Sequence, residues 1–132
     1  MIDARVQAGD FDPGRQLLRL EELGAAAIAG LILRAEAGDD VEALHIDHYP
    51  ALAKNALPRI AAEAEERWSL AGVILIHRYG RLVPGERLAF AAVGAAHPEA
   101  ALQACRHLVE GLRARAPFWR KELLVDGSER WR

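Results

Sequence analysis

Lysine is nearly missing from this chain: Lys54 and Lys121 are the only two, and arginine carries the rest of the positive charge. Together with abundant alanine, that bias is what genomic base composition alone can produce. Cysteine occurs once, at Cys105, which excludes an intrachain disulfide and fits a reducing cytoplasm. No apolar run approaches the roughly eighteen residues of a membrane helix, and Met1-Ile2-Asp3 does not begin a secretory signal. The expectation is therefore a cytoplasmic protein without a membrane partner. Nor is there an excess of one charge. The formal net charge of −2 argues against a general nucleic-acid binder, whose domains are usually strongly basic. Ser69 and Ser128 lack a flanking Gly-x-Ser-x-Gly pattern, and there is no Gly-rich phosphate loop.

What is present suits a single domain over residues 1–132, long enough to bury about two thirds of its unfolded surface without a disulfide or metal. Ile2, Ala4 and Val6 alternate with polar residues, as in a half-buried strand. Asp12-Pro13 is an N-cap followed by proline at the first helical position, and Leu17, Leu18, Leu20 and Leu23 form the apolar face of a helix that Gly24 stops. Ile28 to Leu33 reads as a buried central strand closed by Arg34. Val41 to Tyr49 alternates as a second strand, expected to pair with the first of these two. Pro50 opens a helix with Leu52, Ala56, Ile60, Ala64 and Trp68 inward, which Pro58 should kink or split. Strands follow at Val73–Ile76 and Leu88–Ala96, separated by a Val83-Pro84-Gly85-Glu86 turn. Pro98 and Glu99 start the last long helix, with Ala101, Ala104, Cys105, Leu108 and Leu112 inward. Leu123 to Val125 makes a short final strand before an Asp126-Gly127 turn. Strands and helices that do not alternate strictly define an α+β fold.

Arg113 to Glu122 concentrates the chemistry. Pro117 forces a turn, Phe118 and Trp119 can anchor it, and Arg113, Arg115, Arg120 and Lys121 remain for an anion. The competing reading is a helix end whose arginines complement the macrodipole. Elsewhere the signals are weak. His45 and His48 point to opposite faces of a strand, and His77, His97 and His107 have no ligand spacing, so no metal site is expected. Cys105 lies on an apolar helical stripe, where an inert buried thiol is the expectation. The cationic cluster survives, with Arg34 and His97 as possible neighbours at element ends.

Four motifs carry a family resemblance, over roughly Gly24 to Trp131. They are Asp47-His48-Tyr49-Pro50, His77-Arg78-Tyr79-Gly80-Arg81-Leu82-Val83-Pro84-Gly85-Glu86, Ala96-His97, and Arg115-Ala116-Pro117-Phe118-Trp119-Arg120-Lys121-Glu122. In order and interval they resemble the large subunit of molybdopterin synthase, the MoaE family. The resemblance implies an α+β fold of the hammerhead kind with a mainly antiparallel sheet, and a homodimer with a small ubiquitin-like, MoaD-like subunit docked at each end. It implies that the small subunit's thiocarboxylate tail enters a pocket of the large one. There sulfur passes to cyclic pyranopterin monophosphate, making molybdopterin without a metal or organic cofactor. Phosphate and an anionic terminus suit a cluster of cations.

The chain departs from the family at informative positions. Arg113 and Arg120 stand where relatives carry lysines, and arginine, which holds its proton above about pH 12, is a poor base or amine nucleophile. The usual His-Arg pair reads His97-Pro98. Arg34 matches the family's strand-end arginine if the following loop is one residue shorter, and relatives' tails run on beyond the position of Trp131. By the resemblance, Arg113 and Arg120 are the catalytic positions, with Lys121 as a substitute amine. Arg34, His97, Arg115 and Glu122 are the candidates for substrate or thiocarboxylate contact. Two functional readings follow: an active sulfurtransferase working by electrostatic stabilisation, or a degenerate copy that keeps dimerisation and partner or anion binding. A third, nucleic-acid binding with Phe118 and Trp119 stacking bases, is disfavoured by the acidic balance.

Overall fold

The computed structural model describes residues 1–132, the side chain of Leu52 excepted. In chain order the elements are β1 (Ile2–Gln7), α1 (Pro13–Glu22), β2 (Ala27–Arg34), β3 (Val41–His48), α2 (Pro50–Trp68), β4 (Gly72–Arg78), β5 (Gly80–Leu82), β6 (Arg87–Ala95), α3 (Pro98–Arg115), β7 (Phe118–Leu124) and β8 (Glu129–Trp131). They build two four-stranded sheets, ordered β1-β4-β6-β2 and β5-β3-β7-β8. Only β1 and β4 run parallel; every other pair is antiparallel. The fold is α+β, as expected.

Solidly apolar β4 and β6 are buried on both faces and occupy the middle of the first sheet. On one face, Val73, Leu75, Ala91 and Val93 join α2, α3 and the inner face of β3 in the main core. On the other, Ile74, Ile76, Phe90 and Ala92 pack with Phe11 and Leu20, under α1. That helix begins as its sequence dictates: the Asp12 carboxylate accepts from the Arg15 amide at 3.2 Å, with Pro13 in the first turn. Its buried face is narrower than the leucines suggest, because Leu20 is buried while Leu18 and Leu23 are exposed. In α3 the five expected positions are all buried, and Gly111 lets the helix approach Ile60 of α2.

Several expectations are corrected. β2 is an edge strand, not a central one, and its Leu31 and Ile32 remain about 40% exposed (43% and 41%). β3 pairs with β5 and β7 in the other sheet rather than with β2. The inward face of α2 is Ala53, Leu57, Ile60, Ala61 and Ala64, one position on from that expected; Ile60 and Ala64 were placed correctly, and Leu52 lies outside the described residues. Trp68 is half-buried, its Nε1 donating to Gln103 Oε1 at 3.1 Å. Pro58 does not split α2, which runs as one element from Pro50 to Trp68. Pro58 and Lys54 are both on the exposed side, where water can satisfy the Lys54 carbonyl that the missing amide would have bonded. The strand expected at Leu123–Val125 begins at Phe118, so the cluster after Pro117 is itself a strand, and β3 and β8 flank it in a sheet, edged by β5, that was not anticipated.

Candidate functional site

Placing Phe118–Leu124 in a strand sorts its side chains by parity: Phe118, Arg120 and Glu122 on one face, Trp119 and Lys121 on the other. The first face lies over the seam between the two sheets. There an inner cleft of about 290 Å³ opens beneath the end of α3, lined by Leu33, Ile46, His77 and Leu88 from four strands and by Leu112, Arg113, Ala116, Phe118 and Arg120. An outer cleft of about 940 Å³ adjoins it. Its walls are the Arg34–Gly38 segment, the Pro84-Gly85 turn, Arg120 and Glu122 of β7, and Arg130, Trp131 and Arg132. Arg120 lines both.

The turn before β6 holds Arg34 in place. Gly85 takes φ of +98°, and the Glu86 carboxylate accepts from the Val83 amide at 2.7 Å, closing the turn. Two backbone bonds of 2.8 Å, Gly85 N to Ala35 O and Ala35 N to Glu86 O, stitch the turn to the end of β2. Arg34 Nε then donates to the Gly85 carbonyl at 2.8 Å. One nitrogen is thereby fixed while the rest of the guanidinium faces the outer cleft.

Arg120 is partly buried, and desolvation, with the Arg132 charge adding to it, pushes its pKa below the ordinary arginine value; Glu36 pulls the other way. Among the described residues neither Arg113 nor Arg120 forms an ion pair. Most of the other arginines do, Arg19, Arg78, Arg87, Arg106, Arg115, Arg130 and Arg132 among them. Two unpaired guanidiniums at one cleft, that of Arg120 partly desolvated and that of Arg113 exposed, are an electrostatic invitation to an anion. Glu122 is almost fully buried (3% exposed), and its carboxylate accepts from Arg130 Nε at 2.6 Å with Arg132 at 3.7 Å. It organises the outer wall and pins β8.

The remaining expected site residues fall elsewhere. Arg115 grips the Glu63 carboxylate on α2 with both terminal nitrogens, one at 2.8 Å. Lys121 pairs with Glu129 at 3.2 Å and lies over the Trp131 ring, facing away from Arg120 as strand parity dictates. His97 caps the start of α3, exposed, with most of the helix between it and Arg113, roughly 24 Å at the ordinary helical rise. Sequence reasoning overlooked His77, because it sits at the end of an apolar run, and the tail arginines Arg130 and Arg132, because β8 is three residues long. Arg78 beside His77 is structural: its guanidinium donates to the carbonyls of Ala8 and Arg87.

An α+β chain with unpaired arginines at the seam of two sheets offers a place where an anion could be held. Residues 6–115 match the family described as MoaE protein. The molybdopterin synthase catalytic subunit of Pseudomonas aeruginosa is 40% identical over 132 residues, covering 96% of this chain and 87% of that protein. Among solved structures, the molybdopterin biosynthesis MoaE protein from Burkholderia ambifaria is similar with a TM-score of 0.85 and 36% identity, over 99% of this chain and 88% of that one. A chain of the complex of subunits 1 and 2 of molybdopterin-converting factor from Helicobacter pylori shares the fold at a TM-score of 0.75 and 19% identity, over 98% and 88%. The chain belongs to the MoaE family.

Proposed function

We propose that this chain is the large, catalytic subunit of a molybdopterin synthase, working in the cytoplasm as one domain. It receives sulfur from the thiocarboxylated C-terminus of a small MoaD-like subunit and passes it to cyclic pyranopterin monophosphate. The observation that carries this reading is the pair of adjoining clefts sharing Arg120, with Arg34 and Arg113 beside it, in a member of the MoaE family. An extended acyl tail ending in an anion and a phosphate-bearing pterin are both ligands for such cations. The name of the Pseudomonas aeruginosa relative and the two-subunit complex from Helicobacter pylori support the activity and the partner. No helix among the described residues is long and apolar enough to cross a membrane.

Arg113 and Arg120 act in this reading as fixed positive charges that stabilise developing negative charge; Arg34 and Glu122 shape the outer cleft. His97, remote from the cleft of its own protomer, joins a site only if a second copy brings it there, which the homodimer would provide. The deciding experiment mixes the purified protein with a thiocarboxylated small subunit and cyclic pyranopterin monophosphate and follows molybdopterin formation. Turnover is expected, falling about 10- to 100-fold in kcat/KM in Arg113→Ala or Arg120→Ala, the worth of one charged hydrogen bond. Tight partner binding without turnover, cured by lysine at both positions, would instead mark a degenerate copy.

A further inference from the structure

Replacing both family lysines by arginine leaves the inner cleft with two cations that cannot give up a proton near neutral pH. One group lining it can accept one. His77, at the end of β4, turns its ring to the same side as Val73 and Leu75, and Phe118 stacks on it with ring centroids 3.6 Å apart and planes 10° from parallel. Phe118 is backed in turn by His48, whose ring lies against Tyr79. The imidazole is therefore held rigidly.

Its tautomer is fixed as well. Nδ1 lies 2.7 Å from the Arg78 carbonyl oxygen, which can only accept, so Nδ1 carries the proton and Nε2 the lone pair. Nε2 makes no hydrogen bond among the described residues, and no buried side-chain nitrogen or oxygen there is left without a partner, so Nε2 is open to the cleft rather than sealed in the core. The charged or titratable groups facing the ring are Arg113 from α3, Arg120 from β7 and His48 from β3, while β2 and β6 contribute apolar Leu33 and Leu88. Burial, followed by the Arg120 and His48 charges, lowers the His77 pKa to about 4, although the bond to the Arg78 carbonyl opposes this; the ring is neutral at pH 7.

We infer that His77 is the proton acceptor of the sulfur-transfer reaction, taking a proton from the water that frees the small subunit from its transferred sulfur. The inference rests on the sulfurtransferase reading. Once a thiocarboxylate sulfur has bonded to carbon of the pterin precursor, the two molecules are joined as a thioester, and the acyl–sulfur bond must break. Water oxygen bonds to the acyl carbon as its proton passes to Nε2. The acyl C–S bond then breaks with its electron pair leaving on sulfur as a thiolate. The carboxylic acid formed ionises to solvent, and the imidazolium returns its proton to solvent, restoring the base. Arg113 and Arg120, in the same cleft, stabilise the oxyanion and the thiolate.

The test compares wild type with His77→Asn, whose amide nitrogen takes the place of Nδ1 and can still donate to the Arg78 carbonyl but is no base, and with His77→Gln as a second variant that likewise cannot accept a proton. Each is mixed with thiocarboxylated small subunit and cyclic pyranopterin monophosphate, quenched in acid at intervals, and read by intact mass of the small subunit. Binding of the small subunit and circular dichroism are measured alongside. The expected result is unchanged partner affinity, accumulation of the small subunit–precursor adduct, and adduct breakdown slowed about 10²- to 10⁴-fold, the usual worth of a general base. The wild type's acid limb in the breakdown rate should also vanish in the variants. Adduct breakdown at the wild-type rate in a folded variant overturns the inference, as does a slowing confined to adduct formation. Wild type giving neither adduct nor product overturns the sulfurtransferase reading itself, an outcome distinct from failure of the variants alone.

Discussion

Between Arg113 and Arg120 the chain leaves α3, turns at Pro117 and enters β7, and the three arginines it carries reach different surroundings. Arg113 and Arg120 meet in the inner cleft without carboxylates, whereas Arg115 closes an ion pair with Glu63 that ties the end of α3 to α2. Hydrogen bonds from Arg115 pull the Glu63 pKa from 4.5 to about 2 against desolvation, with the Arg115 charge and His107 adding to the pull. Because the folded pKa lies below the unfolded one, the stabilisation is complete above about pH 4.5, shrinks below it and is lost as pH falls through about 2. Both partners are about 40% exposed, so solvent screening holds the pair to about 0.5–1 kcal/mol. Glu63→Gln should therefore lower unfolding free energy by that amount at pH 7 and by only a fraction of it at pH 2, in urea titrations at the two pH values. Equal losses at both would mean that packing, not charge, holds the contact. Arg115→Ala should leave sulfur transfer unchanged at pH 7. Sequence alone grouped Arg113, Arg115 and Arg120 by proximity along the chain. The resemblance set Arg113 and Arg120 apart as catalytic positions but still put Arg115 at the substrate, because its ion pair with α2 is set by the tertiary fold.

At the scale of elements, what the sequence made legible was what local periodicity controls. The inward stripe of α3, the Asp12-Pro13 start of α1 and the Pro84-Gly85 turn all appear where their residues put them. Strand neighbours were not legible. Ala27–Arg34 is apolar on both faces, which ordinarily means a central strand, yet β2 lies at an edge; β3 reaches past it to β7, more than seventy residues on, a pairing no local pattern encodes. Parts of β7 were obscured by the very charges that line the clefts. The α2–α3 crossing is set by one absent side chain: a Cβ on Gly111 would stand 2.7 Å from Ile60 Cγ2. Gly111→Ala forces the helices apart or Ile60 off its rotamer, so despite alanine's better helix propensity it should destabilise by about 1–3 kcal/mol in thermal or urea unfolding. A more stable Gly111→Ala would show that the crossing has slack.

For the molecule as a whole, the exposed apolar side chains of β2 are the main unfinished surface. Leu31 and Ile32 lie on an edge strand, and Leu31 shares a shallow groove with Leu102, Cys105 and Val109 of α3. Edges of this kind are normally covered. A homodimer formed here would cover both faces at once and explain a strand that reads as buried. If one forms, Leu31→Asp should shift a wild-type dimer to monomer in sedimentation velocity while leaving circular dichroism unchanged; a wild type already monomeric, or a mass unaffected by the substitution, would rule this contact out. Arg120 has a further consequence. Because one guanidinium borders both clefts, any anion that neutralises it from the outer side weakens its pull on the inner side, and the reverse holds by the same factor. Two negatively charged ligands at this seam thus compete for a single charge without overlapping in space. An arriving acyl tail that spends its own charge by bonding through sulfur would release Arg120 to hold what remains, giving the reaction a built-in order of loading and release.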